Sequence, residues 1–226
     1  MKHKLFALSV HLLTASGVIL GLWAMLMIFK GEAAYSLWLL ALAAAIDSID
    51  GTLARKANVT RHTPHIDGAL LDNLVDYLTW VFIPMVWGYV FLNIPFIICS
   101  IVVLVSLFGF SHSQAKTEDN FFRGFPSYWN LLILYLYVFD TGTWVSSSIL
   151  LLFALLVLAP VKLIYPSRTP VMKKTTLLLS IPYSAMIIAM LIWLDNTPLW
   201  ISYGSLYYPF YYTGLSFYLQ KSKLKS

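Results

Sequence analysis

A single cysteine, Cys99, lies inside an apolar run, so the chain has no disulfide framework and no thiolate metal site. Charge is scarce too. Only 11% of residues are Asp, Glu, Lys or Arg, while 59% are hydrophobic. With a mean hydropathy of +0.76, this balance excludes an ordinary water-soluble domain. The net charge of +5 raises the question of nucleic acid, but the basic residues are dispersed in short segments between apolar runs. No basic patch forms, and no nucleic-acid partner is expected. No small-residue cleavage site follows the first apolar run, which is too long for a signal-peptide core. It is therefore expected to be a retained span.

What the chain does have is long apolar runs. They mark eight candidate transmembrane helices, at roughly 7–29, 34–55, 69–92, 95–113, 127–140, 144–164, 174–194 and 199–220. Charge placement tests that count. With the N-terminus inside and the loops assigned alternately, fourteen of the fifteen basic residues fall on one side, and only Lys30 falls outside. Cytoplasmic loops carry such an excess, so both termini are expected in the cytoplasm. The predicted fold is an all-α, polytopic transmembrane helical bundle of about eight spans, forming a single domain over 1–226. Its partner is the lipid bilayer.

Acidic residues are few, yet four of them stand in or beside these apolar helices. Asp47 and Asp50 are i,i+3, and Asp72 and Asp76 are i,i+4, so each pair shares one helix face. An aspartate at the centre of a membrane helix costs roughly 2.5–3.5 kcal/mol. Four would be untenable without a positive counterpart, and only Arg55, Lys56 and Arg61 are near in sequence. Neither acidic block contains His or Cys. Carboxylate-only clusters suit hard divalent cations such as Mg²⁺, Mn²⁺ or Ca²⁺. By the charge-derived orientation, the two acidic helices meet near the cytoplasmic leaflet. Asp67, just before the second block, is expected to be a loop or helix-cap residue.

The two blocks read Asp47-Ser48-Ile49-Asp50-Gly51-Thr52-Leu53-Ala54-Arg55 and Gly68-Ala69-Leu70-Leu71-Asp72-Asn73-Leu74-Val75-Asp76. They resemble the signature of the CDP-alcohol phosphotransferases, D-x2-D-G-x2-A-R followed by G-x3-D-x3-D, at eight fixed positions. One departure is the spacer from Arg55 to Gly68, which holds twelve residues where the family usually has about eight. The long spacer, the opening Ser9–Gly17, the stretch Lys116–Asn130 and the segment Tyr165–Arg168 resemble the bacterial phosphatidylcholine synthase branch of that family.

The resemblance implies a bacterial inner-membrane enzyme with its active site at the cytoplasmic side. Its substrates would be CDP-diacylglycerol and choline, and its products phosphatidylcholine and CMP. It further implies that Asp47, Asp50, Asp72 and Asp76 hold two divalent ions, Mn²⁺ or Mg²⁺, with Asp72 and Asp76 catalytic and Asp76 a candidate base. Gly51, Ala54, Arg55 and Gly68 fall where nucleotide and diphosphate would bind. Small residues there also suit close helix packing, and Arg55 also suits a place at the lipid headgroups. Thr14 falls on the first helix, which lines the nucleotide pocket in the family. Members of the family are often homodimers.

Quaternary ammonium groups are held by aromatic faces and carboxylates. Tyr77, Glu118, Tyr128 and Trp129 are candidates for choline, although interfacial aromatic belts collect Tyr and Trp without any ligand. Two alternatives stay open. One is a sister enzyme with serine, inositol phosphate or glycerol phosphate as acceptor. The other is a cation transporter, which the absence of an evident internal repeat and the one-sided placement of the acids disfavour.

Overall fold

The computed structural model describes residues 2–115, 117, 119, 121–166 and 168–223, and these are mostly helical. The helices are α1 (Lys2–Phe29), α2 (Ala33–Ala57), α3 (Val59–His62), α4 (Gly68–Asp76), α5 (Ile83–Phe91), α6 (Phe96–Ser111), α7 (Trp129–Val138), α8 (Gly142–Leu158), α9 (Lys173–Ile192), α10 (Leu199–Ser205) and α11 (Tyr207–Lys223). Helix thus falls in each of the eight apolar segments. The stretches Lys2–Phe29, Ala33–Ala57, Gly68–Phe91 and Lys173–Ile192 are long and apolar enough to cross a membrane, and α6, α7 and α8 are shorter apolar helices. At 1.5 Å per residue, the 28 residues of α1 span about 42 Å.

The chain forms two compact units. One comprises the chain up to Asn93 together with Trp129–Ile133; the other comprises Ile94–Tyr128 and the chain from Leu134 onward. In the first unit, α1 buries one stripe that includes Val10, His11, Thr14, Gly17 and Gly21. Two glycines let it approach its neighbours. A methyl group on Gly17 would lie 2.7 Å from Val75 Cγ1, and one on Gly21 2.8 Å from Ile83 Cδ1. The start of α2 is tied to α5 by Trp87. Its ring is fully buried, and its Nε1–H donates to Ser36 Oγ at 2.9 Å.

Between α4 and α5 the helix widens into a π-helical segment, Tyr77–Phe82. Pro84 supplies a reason. It has no N–H to give to the carbonyl of Trp80, and its ring crowds that carbonyl. A wider turn relieves the conflict without ending the helix.

In the second unit, the expected sixth span stops short. It was expected to run to about residue 164, but α8 ends at Leu158. Pro160 pushes Ala159 to extended backbone (φ −69°, ψ 141°), which ends the helix. Residues Lys162–Ile164 then form strand β2, antiparallel to β1 (Phe121–Arg123), with Phe121 opposite Ile164 and Arg123 opposite Lys162. Gly124 closes this sheet at φ +76°. A side chain there would place its Cβ 2.1 Å from the Val157 carbonyl oxygen.

Candidate metal centre

The acidic site lies wholly in the first unit, on α2 and α4. Ligand oxygens of Asp47, Asp50 and Asp72 all lie within 4.8 Å of one another. Asp50 is buried, at 4% exposure, and the other two are half-buried. Three like charges at this spacing repel one another by roughly 3 kcal/mol per pair at an effective dielectric of 20. A hard divalent cation turns that repulsion into attraction, and the donor set is all oxygen. The residues therefore fit a divalent metal.

Asp76 was expected to join them. It is the last residue of α4, half-buried with its Oδ1 enclosed by protein, and it is not a member of the triplet. The sequence argument placed Asp72 and Asp76 on one face. Four residues of helix separate Asp76 from Asp72 by about 6 Å along the axis.

The connector that sets α4 against α2 is built from local signals. Asn58 ends α2 in the left-handed conformation (φ 47°), which Asn tolerates better than most residues. Thr63 is buried, and its Oγ1 donates to the Val59 carbonyl at 2.8 Å. That hydroxyl has one proton, so the 2.9 Å contact with His11 Nε2 is made by the ring N–H donating to Thr63. Asp67 caps α4 as expected, its Oδ1 accepting from the backbone N–H of Ala69 at 3.1 Å and of Leu70 at 3.0 Å.

The residues expected at the nucleotide divide into two groups. Gly51 is exposed, and a Cβ there would have only Arg55 Nη1 nearby, at 3.6 Å. Among the described residues no neighbouring helix comes within 4 Å of that Cβ. Gly68 is different, since a Cβ would lie 3.0 Å from His11 Cε1. Its small size lets α4 pack on α1. Ala54 is half-buried, and the exposed Arg55 donates from Nη2 to Thr52 Oγ1 at 2.9 Å. Thr14 is buried, and its hydroxyl donates to Asp50 Oδ2 at 2.7 Å. That link was not foreseen. Its one signal in the sequence is a hydroxyl on the helix stripe that carries Val10, His11 and Gly17.

Of the residues expected at choline, Glu118 lies outside the described residues. Tyr77 is half-buried in the first unit, at the start of the π-helical segment. Tyr128, in the second unit, is half-buried and meets Tyr212 at a ring separation of 6.4 Å. Trp129 is completely buried, so its ring has no open face.

Comparison with known proteins agrees with this chemistry. Residues 9–163 match the family model for CDP-alcohol phosphatidyltransferases. A phosphatidylcholine synthase of Legionella pneumophila is 37% identical over 92% of this chain and 86% of its own length. One from Legionella bozemanae is 37% identical over 88% and 97%. One from Pseudomonas aeruginosa is 41% identical over 74% and 71%.

Proposed function

The chain belongs to the CDP-alcohol phosphatidyltransferase family, and on that premise we propose that it transfers the phosphatidyl group of CDP-diacylglycerol to choline, giving phosphatidylcholine and CMP. One observation carries this reading. Relatives named phosphatidylcholine synthase align over most of both chains, and three of the four motif aspartates, Asp47, Asp50 and Asp72, converge in the structure.

In this reading Asp47, Asp50 and Asp72, with Asp76 beside them, hold two divalent ions, Mn²⁺ or Mg²⁺. When bound, such ions neutralise the diphosphate charge. Arg55 offers its planar guanidinium to the phosphate oxygens. Gly51 leaves room for the nucleotide against α2, with Ala54 and Gly68 at its edge. The choline hydroxyl oxygen forms the new bond to the phosphatidyl phosphorus. The bond from that phosphorus to the CMP oxygen breaks, and its electron pair leaves with CMP. Asp76 takes the hydroxyl proton. The two roles of Asp76 compete, because a carboxylate tightly bound to a metal is a poor base. Tyr77 is the aromatic residue nearest to Asp76 in sequence and the best candidate to face the choline ammonium.

The basic residues support eight spans with both termini and the acidic site on the cytoplasmic side, and the family resemblance supports a bacterial inner membrane. The fully described fold of the acidic helices and the family match from 9 to 163 support one catalytic domain.

The test is incubation of the purified protein with CDP-diacylglycerol and labelled choline, beside serine, inositol phosphate and glycerol 3-phosphate. Equal yields of phosphatidylcholine and CMP are expected with choline alone. Product with another alcohol and none with choline would replace the acceptor; no CMP with any of them would end the enzymatic reading.

A further inference from the structure

We propose that Thr14 is a positioning residue, which holds the Asp50 carboxylate in the orientation that a cation at the aspartate triplet requires. The inference rests on the metal-dependent reading above. Its geometry is specific. Thr14 Oγ1 donates to Asp50 Oδ2 at 2.7 Å, and both residues are buried. A helical threonine usually returns its proton to the carbonyl four residues earlier. Thr79 and Thr176 do so, each at 3.0 Å. Thr14 stands 3.4 Å from the Val10 carbonyl, the weaker of its two contacts, so its proton goes across to the neighbouring helix.

The link has work to do there. The terminal torsion of an aspartate is soft and roughly two-fold, so the carboxylate plane is not set by its own rotamer. Asp50 also stands against two like charges, Asp47 and Asp72, which would turn it away in the absence of a cation. A hydroxyl donating to Oδ2 fixes the plane and spreads part of the charge. Groups that orient metal ligands in this way typically contribute 10–100-fold in metal affinity or activity. This role lies inside the protein, whereas the resemblance implies a nucleotide contact for Thr14.

Two substitutions separate these roles. Thr14→Val keeps the branched shape and removes the donor; Thr14→Ser keeps the donor and removes a methyl group. Mn²⁺ binding would be followed by electron paramagnetic resonance of the free ion, and the KM for CDP-diacylglycerol measured at saturating Mn²⁺. The Val variant is expected to weaken Mn²⁺ binding roughly 10–100-fold. The Ser variant should stay close to the parent protein, and the KM at saturating Mn²⁺ should move little in either. Thr14→Ala, under the same expectations, replaces the Val variant if the latter does not fold. Unchanged Mn²⁺ binding in the donor-less variant would overturn the proposal. So would a Ser variant as impaired as the Val variant, or a raised KM for CDP-diacylglycerol with intact Mn²⁺ affinity. A parent protein that ignores Mn²⁺ and works undiminished in EDTA would instead sink the metal-dependent reading, and this inference with it.

Discussion

Gly17 of α1 faces Val75 of α4 so closely that a single methyl group on the glycine would stand 2.7 Å from Val75 Cγ1. Val75 lies between Asp72 and Asp76 in sequence, so this contact sets the distance of the acidic helix from α1. Replacing Gly17 with Leu forces the helices apart. Overpacking of this kind costs about 1–3 kcal/mol. The variant should melt at a lower temperature and lose most of its phosphatidyltransfer. A melting temperature and an activity equal to those of the parent would show that α1 and α4 do not need this approach.

The triplet makes an opposite prediction for stability. Asp47→Asn removes one of three mutually repelling charges, and the half-buried position reduces the gain by solvent screening. In EDTA the variant should be at least as stable as the parent, by up to about 1–2 kcal/mol. With millimolar Mn²⁺ the order should reverse, because only the parent gains fully from the bound ion. Thermal unfolding with and without Mn²⁺ measures both. A variant less stable than the parent in EDTA would mean that the carboxylates do not repel as described.

Asp76→Asn tests the base. It should leave Mn²⁺ binding at the triplet nearly intact while lowering turnover by 10²-fold or more, about the contribution of a general base. Turnover near that of the parent, assayed with purified protein, would exclude proton transfer to Asp76. Loss of Mn²⁺ binding would make it a ligand.

His11→Ala leaves the buried Thr63 hydroxyl without the ring N–H that donates to it. The loss of a buried partner costs about 1–3 kcal/mol. Because Thr63 belongs to the connector between the acidic helices, the expected phenotype combines lower melting temperature with weaker Mn²⁺ binding. A variant with lower stability and unchanged Mn²⁺ affinity would confine His11 to packing.

Much of this was readable from the chain. Helix lies in all eight apolar segments, since long runs of apolar residues leave little choice of structure in lipid. Asp47, Asp50 and Asp72 converge because the i,i+3 rule and a short connector suffice to bring them together. What was not readable depended on distance and on turns. The strands β1 and β2 are three residues each, too short for an alternation of period two to show. The end of α8 did have a signal, in Pro160, which the apolar run obscured. The Thr14–Asp50 bond joins residues 36 apart, and no local rule predicts such a partner.

The buried positions of α1 carry one more implication. Ala7, Thr14, Gly21 and Ile28 recur every seven residues, and so do Val10, Gly17 and Ala24. A straight α-helix drifts about 20° per heptad, which over the three heptads from Ala7 to Ile28 would carry the seam about 60° out of contact. A seven-residue seam of this kind favours a left-handed supercoil of α1 around its neighbours. A one-residue insertion between Thr14 and Gly17 would rotate everything beyond it by about 100°. The hydroxyl would stay with Asp50, while both glycines swung away from Val75 and Ile83. The helix therefore has one workable phase, shared between its polar end and its packed end.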